Sequence, residues 1–155
     1  MTLKKPDFWQ KKNFISILLY PLSIFIFIIN ILKKLNFKNY FKIKTICVGN
    51  LNVGGTGKTS LAIELYKLLS IKYKTVFIKK KYSNQKDEYN LLKSRGKIIT
   101  SKNRINALKI AEKSFDLAIL DDGLQQKNIE YDLKIVCINS YEGFGNNFLI
   151  PAGPL

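Results

Sequence analysis

The residues whose types and order could do chemistry begin at Asn52. Asn52-Val53-Gly54-Gly55-Thr56-Gly57-Lys58-Thr59 follows an apolar run, Thr45-Ile46-Cys47-Val48. It precedes a stretch with Leu61, Leu65, Leu68 and Leu69 on one helical face. Strand, glycine-rich turn and helix in that order are the setting of a phosphate-binding loop. Glycines let successive backbone N–H groups converge on phosphate oxygens, and the helix N-terminus adds partial positive charge. Lys58 would then reach the β- and γ-phosphates of ATP, and the Thr59 hydroxyl would hold Mg²⁺. The strict pattern has glycine where Asn52 stands, so this is a near match. The plain alternative is a glycine-rich turn between strand and helix with no ligand.

Two acidic stretches complete the candidate chemistry. Phe115-Asp116-Leu117-Ala118-Ile119-Leu120 is an apolar strand that ends in Asp121-Asp122-Gly123. Paired acids at a strand's carboxyl end suit a Walker B role, in which one acid joins Thr59 around Mg²⁺, directly or through water. A simple turn is the alternative. Asp87 and Glu88 open a helix at Lys86–Leu92, where carboxylates also serve as ordinary complements to the helix dipole.

The elements that must position these groups alternate. Strands are expected at 45–48, 74–78, 97–100, 115–121 and 133–139, the last a buried-type strand. Helices are expected after Lys58, after Lys86 and over Arg104–Lys113, the last with Ile105, Leu108 and Ala111 inward. Lys79–Gln85 reads as a polar loop. Such alternation predicts a P-loop NTPase-like α/β fold, a mostly parallel sheet flanked by helices with right-handed crossovers. Ligands then gather at the carboxyl ends of the strands, where Lys58, Asp87 and Asp121/Asp122 can share one site.

Residues 1–43 differ from the remaining 44–155. Phe14 to Leu32 carries no charge and is flanked by Lys11, Lys12, Lys33 and Lys34. Its length allows a membrane span. Pro21 is expected to kink it or to end a first short helix. Ser16, Tyr20, Ser23 and Asn30 form a thin polar seam, which suits a helix lying in one leaflet or packed on the domain beside it. Trp9, with Phe8, is a candidate interfacial anchor. No A-x-A-like cleavage site follows, which argues against a signal peptide. Residues 33–44 read as a basic connector. The division expected is a hydrophobic membrane-associated segment and connector over 1–43 and a P-loop nucleotide-binding core over 44–155.

The 155 residues carry a net charge of +15, almost all of it lysine. That excess is either a solvated surface or an attraction to an anionic membrane or substrate. No nucleic-acid motif accompanies it. With no histidine in the sequence, His-based catalysis and His metal ligation are excluded within this chain. Cys47 and Cys137 lie in apolar runs and read as buried, reduced thiols.

Several blocks in order resemble one family, the tetraacyldisaccharide 4′-kinases of lipid A synthesis. They are Pro6-Asp7-Phe8-Trp9, Leu19-Tyr20-Pro21-Leu22-Ser23, Val48–Leu51 with Val53–Thr59, Asp121-Asp122-Gly123-Leu124-Gln125, Gly143-Phe144-Gly145-Asn146 and Pro151–Leu155. The resemblance implies ATP- and Mg²⁺-dependent transfer of phosphate to the 4′-hydroxyl of a tetraacyl glucosamine disaccharide 1-phosphate, forming lipid IVA. It implies an enzyme seated on the cytoplasmic face of the bacterial inner membrane through its N-terminal helix. It assigns Asp87 the role of assisting the attacking hydroxyl, Arg104 a phosphate contact, and Tyr82 and Glu88 places near the substrate.

This sequence also departs from the family's pattern. Lys80-Lys81 stand where the family has Arg-Gly, Tyr89 replaces a proline and Gln126 replaces a histidine. The resemblance implies a longer protein, with a second lobe after Leu155, so an N-terminal half or an inactive nucleotide-binding remnant is expected. A membrane-associated partitioning ATPase, using the same loop as a switch, is the rival reading. Oligomeric state is left open by the sequence.

Overall fold

The computed structural model describes residues 6–32, 38–50, 56–81, 86–141 and 143–155. In chain order the elements are a short 3-10 turn at Asp7–Trp9, α1 (Phe14–Leu32), β1 (Lys44–Asn50), α2 (Lys58–Leu69), β2 (Thr75–Lys80), α3 (Lys86–Arg95), β3 (Ile98–Ser101), α4 (Arg104–Ala111), β4 (Leu117–Asp121) and β5 (Leu133–Cys137). They form two compact units. The first draws on Met1–Asn36, Leu51–Thr56 and Ile138–Leu155, the second on Phe37–Asn50 and Gly57–Cys137.

The second unit is one sheet in the order β3-β2-β4-β1-β5. Every pairing in it is parallel. The alternation of strand and helix predicted this. β4 is buried along its whole length, and β2 nearly so, as strands covered on both faces must be. Successive side chains then feed opposite layers. Cys47, Val76, Ile78, Ala118 and Leu120 pack with Ala107, Leu108 and Ala111 of α4. Val48, Phe77 and Ile119 pack with Ala62 and Ile63 of α2 and Leu92 of α3.

Several local expectations change. On α2 Ala62 and Ile63 are the most buried, with Leu61, Leu65 and Tyr66 packed beside them, while Leu68 is 66% exposed, because the helix axis turns the Ala62–Ile63–Tyr66 side toward the sheet. β5 is an edge strand whose Leu133 and Val136 are exposed. It has a strand on one side only, so its burial is set by position and not by its apolar residues. Cys47 is buried, but Cys137, on that edge, is half-buried. β2 continues through Lys79 and Lys80, which the sequence had read as loop, since pairing with β3 carries it on to Lys80↔Ser101.

In the first unit α1 runs unbroken through Pro21, so the proline does not end it. At 1.5 Å per residue it is about 28 Å long, and by length and composition alone it could cross a membrane. Its large apolar side chains face outward, while Ser16 and Ser23 are buried. Asn13 and Ser16 cap its start reciprocally, Asn13 N donating to Ser16 Oγ and Ser16 N to Asn13 Oδ1, both at 2.9 Å. Ser23 Oγ donates to Leu149 O at 2.9 Å and accepts from Ala152 N at 3.1 Å. Asn146 Nδ2 donates to Phe8 O and Ala152 O, and Trp9 Nε1 donates to Pro151 O at 3.0 Å. In the polar seam Ser23 docks on Leu149 and Ala152 and Tyr20 on Phe148, with ring centroids 4.8 Å apart, whereas Ser16 serves the helix start and Asn30 is exposed. The separate Phe8-Trp9, Ser23, Asn146 and Pro151-Ala152 blocks of the sequence meet in one unit.

Candidate functional site

The site is built at the carboxyl rim of β1, β2 and β4. The register Val48↔Asp121 sets the last residue of β4 beside β1 two residues before β1 ends at Asn50. Gly57, at φ 76°, takes the left-handed conformation immediately before α2, which glycine adopts without penalty. Its carbonyl accepts the first helical bond, from Leu61 N at 2.9 Å. This turn brings Lys58 and Thr59 to the rim as the first residues of α2.

Lys58 Nζ lies 3.4 Å from Asn50 Oδ1 and 3.7 Å from Asp122 Oδ1. Thr59 Oγ1 lies 3.5 Å from Asp121 Oδ2. The strand–helix lysine and threonine thus meet the paired acids. Asp121 is fully buried. Asp122 N still donates to Val48 O at 2.8 Å, and the chain then turns through φ 62° at Asp122. Aspartate tolerates that conformation better than most residues. The turn is gripped from behind by Arg104, whose Nη2 donates to Asp122 O at 2.5 Å and whose Nη1 donates to Gln126 Oε1 at 3.4 Å. Leu124 packs so close to Gly49 that a Cβ there would sit 2.7 Å from Leu124 Cγ. The Val48-Gly49 and Asp121–Gln125 blocks are therefore shaped to each other.

The residue that sequence reasoning missed is Lys79. Its side chain is 4% exposed, and its Nζ donates to Asp121 Oδ2 at 2.8 Å and to Glu88 Oε2 at 2.5 Å. Burial lowers the pKa of the ammonium, but Asp121 and Glu88 outweigh burial and hold it above the ordinary 10.5. Three lysines in a row look solvated. The available signal was the period of β2: Lys79 shares the face of Phe77, toward α2 and α3, whereas Lys80 shares that of Ile78, toward α4.

Glu88 therefore ties the first turn of α3 to the rim. Asp87, in the same turn, is exposed. Arg104 is buried, with its Nε lacking a partner among the described residues. A polar cavity of about 470 Å³ lies on the α4 side, lined by Lys80, Lys102, Arg104, Gln125 and Gln126 among others. Thr56 belongs to the first unit. Asn52, Val53, Gly54, Gly55 and Tyr82 lie outside the described residues.

The residues present fit a divalent cation. Asp121 Oδ1 is buried with no hydrogen-bond partner among the described residues, and Thr59 adds a hydroxyl beside the same carboxylate. Hard oxygen donors of this kind suit Mg²⁺, which keeps several waters and needs few protein ligands.

A parallel sheet with a strand–turn–helix at one rim and acids ending the neighbouring strand defines a P-loop-type α/β fold. The family model for tetraacyldisaccharide-1-P 4′-kinase matches residues 15–95 and 76–155, and the chain belongs to that family. It is 49% identical over 160 residues to the tetraacyldisaccharide 4′-kinase of Pelagibacter ubique, covering 100% of this chain and 51% of that protein. It is 40% identical over 169 residues to that of Rickettsia felis, covering 97% and 52%. The chain spans about half the length of the curated relatives it matches. Among solved structures it resembles LpxK from Aquifex aeolicus in complex with ATP, with a TM-score of 0.66 and 24% identity over 90% of this chain and 51% of that one. That likeness shows the fold.

Proposed function

We propose that this chain is the nucleotide-handling part of a lipid-sugar kinase. The kinase transfers the γ-phosphate of ATP to the 4′-hydroxyl of a tetraacyl glucosamine disaccharide 1-phosphate and so forms lipid IVA. The observation that carries the reading is the contact of Lys58 and Thr59 with Asp122 and Asp121 at one rim. Family membership supplies the acceptor.

The proposed division of labour follows the residues. Asn52–Thr59 cradle the triphosphate through backbone N–H groups, and Lys58 exchanges Asp122 for phosphate oxygens. Thr59 and Asp121, with Asp122, would hold Mg²⁺, which when bound would neutralise charge on the transferring phosphate. Asp87 accepts the proton of the acceptor hydroxyl as its oxygen bonds to the γ-phosphorus and the bond to the bridging oxygen breaks, releasing ADP. Tyr82 is assigned a contact with the acceptor by the family resemblance, and Glu88 fixes the turn that carries Asp87. Arg104, with Lys80 and Lys102, offers the acceptor's phosphate a cationic cavity. Positioning and charge neutralisation carry most of the rate.

Residues 1–43 are the proposed membrane-directed segment and 44–155 the phosphate-handling core. The outward apolar surface of α1 supports a seat at the inner membrane, and the cytoplasmic face comes from the family resemblance. The test is transfer of labelled phosphate from ATP to the disaccharide lipid by the full-length Pelagibacter ubique relative. Replacing the lysine that matches Lys58 by alanine should abolish the transfer. Wild-type transfer by that variant would remove the assignment, and free phosphate in place of phospholipid would favour the switch ATPase.

A further inference from the structure

We propose that Lys79 is an internal counter-ion that keeps Asp121 from holding a divalent cation by itself, so that the metal enters only together with nucleotide phosphates. This rests on the kinase reading above and assigns Lys79 as a positioning residue of that site. Asp121 has two carboxylate oxygens. The oxygen that Thr59 approaches at 3.5 Å is already taken by the Lys79 ammonium at 2.8 Å, and the other has no partner among the described residues. A cation bridging Thr59 and Asp121 therefore sits next to a fixed positive charge in a place that solvent reaches poorly. Repulsion there is weakly screened.

Two further acids of the rim give no escape. Glu88 is spent on Lys79, and Asp122 faces Lys58. Among the described residues no group of three or more Cys, Asp or Glu side chains is arranged to hold a metal. Lys58, Lys79 and Arg104 stand against Asp121, Asp122 and Glu88 around the rim, so the charges of these side chains balance. Incoming phosphates tip that balance: they draw Lys58 away from Asp122 and bring oxygen ligands of their own. Lys79 cannot follow, because its ammonium is clamped between β4 and α3. It continues to orient Asp121 while leaving Oδ1 as the open edge.

The experiment is Mn²⁺ binding to the nucleotide-free chain, followed by the loss of free-Mn²⁺ electron paramagnetic resonance signal. The unsubstituted chain should bind weakly. Lys79→Met should bind at least about tenfold more tightly, since removal of one adjacent positive charge at short range is worth that much or more. Lys79→Gln, which keeps a hydrogen-bond donor for Asp121, should show the same gain and serves if the methionine variant does not fold by circular dichroism. Lys79→Arg should bind as the unsubstituted chain does. A folded Lys79→Gln or Lys79→Met chain with unchanged or weaker Mn²⁺ affinity overturns the proposal. A purely structural lysine would lower stability without raising metal affinity. The kinase reading is judged separately, by ATP binding to Lys58→Ala without Mn²⁺: retained binding there would remove the nucleotide assignment while leaving the Mn²⁺ result standing.

Discussion

Two buried polar clusters in this chain solve different problems. At the sheet rim, Lys79, Asp121 and Arg104 are buried and charged, and Asp121 Oδ1 and Arg104 Nε are left without partners among the described residues. In the unit that holds α1, Ser16, Ser23, Asn146 and Trp9 are neutral, and each has its hydrogen bonds made. Buried polar atoms that only hold a shape are normally satisfied. Unsatisfied ones among costly buried charges mark a place kept for something else. The comparison separates a rim poised for phosphate and metal from a seam that docks a helix.

The largest effect expected at the rim is on ligand binding. Lys58→Ala should weaken ATP binding by about a hundredfold, the worth of one or two charge-assisted bonds, measured by titration calorimetry, while Trp9 fluorescence stays unchanged. Next, Asp121→Ala leaves the buried Lys79 with only the partly exposed Glu88. It should cost about 3 kcal/mol of stability in urea and abolish Mn²⁺ binding in the presence of ATP. A loss of stability with metal binding intact would make the rim an ordinary structural ion pair. In the seam, Asn146→Ala should cost about 2 kcal/mol by stranding the carbonyls of Phe8 and Ala152, and Ser23→Ala about 1 kcal/mol. Trp9, the one tryptophan of the chain, reports both through its emission, and ATP affinity should not move.

The smallest effect calibrates the comparison with a charge remote from the rim. Asp132 accepts bonds at 2.8 Å from both the amide and the hydroxyl of Thr45. Burial raises its pKa, but those bonds and Lys44 outweigh burial and hold it below 3.8. A carboxylate with a depressed folded-state pKa stabilises above its unfolded value and loses that contribution as pH falls through the folded one. Stability should therefore decline below about pH 4, with a shallower slope in Asp132→Asn, read from urea midpoints between pH 5 and pH 2. An equal slope in both chains would show that the latch is already open.

Much of the site was legible because its signals are local. Gly57-Lys58-Thr59 must sit where a strand turns into a helix, and acids that end an apolar strand must lie at its carboxyl rim. Arg104 was legible as a functional candidate, but its grip on the Asp122 carbonyl was not, since a separation of 18 positions along the chain says nothing of distance in space. Lys79 was misread because neighbouring lysines share a composition, while β2 alternates faces and sends one to the rim and the next to the α4 side. The exposure of Leu133 and Val136 was equally hidden, because an edge strand and a central one have similar apolar sequences.

By itself the sequence determined what depends on chain periodicity and residue chemistry: parallel α/β order, the strand–turn–helix that sets Lys58 and Thr59, and an apolar helix with a polar stripe. Only the tertiary structure decided which charges meet. Electrostatic partners are chosen by strand order and register, and β2 lies beside β4 through crossovers that no local pattern encodes. That neighbourhood makes Lys79 the counter-ion of Asp121; in the other unit, tertiary packing brings Ser23 of α1 to Leu149 and Ala152.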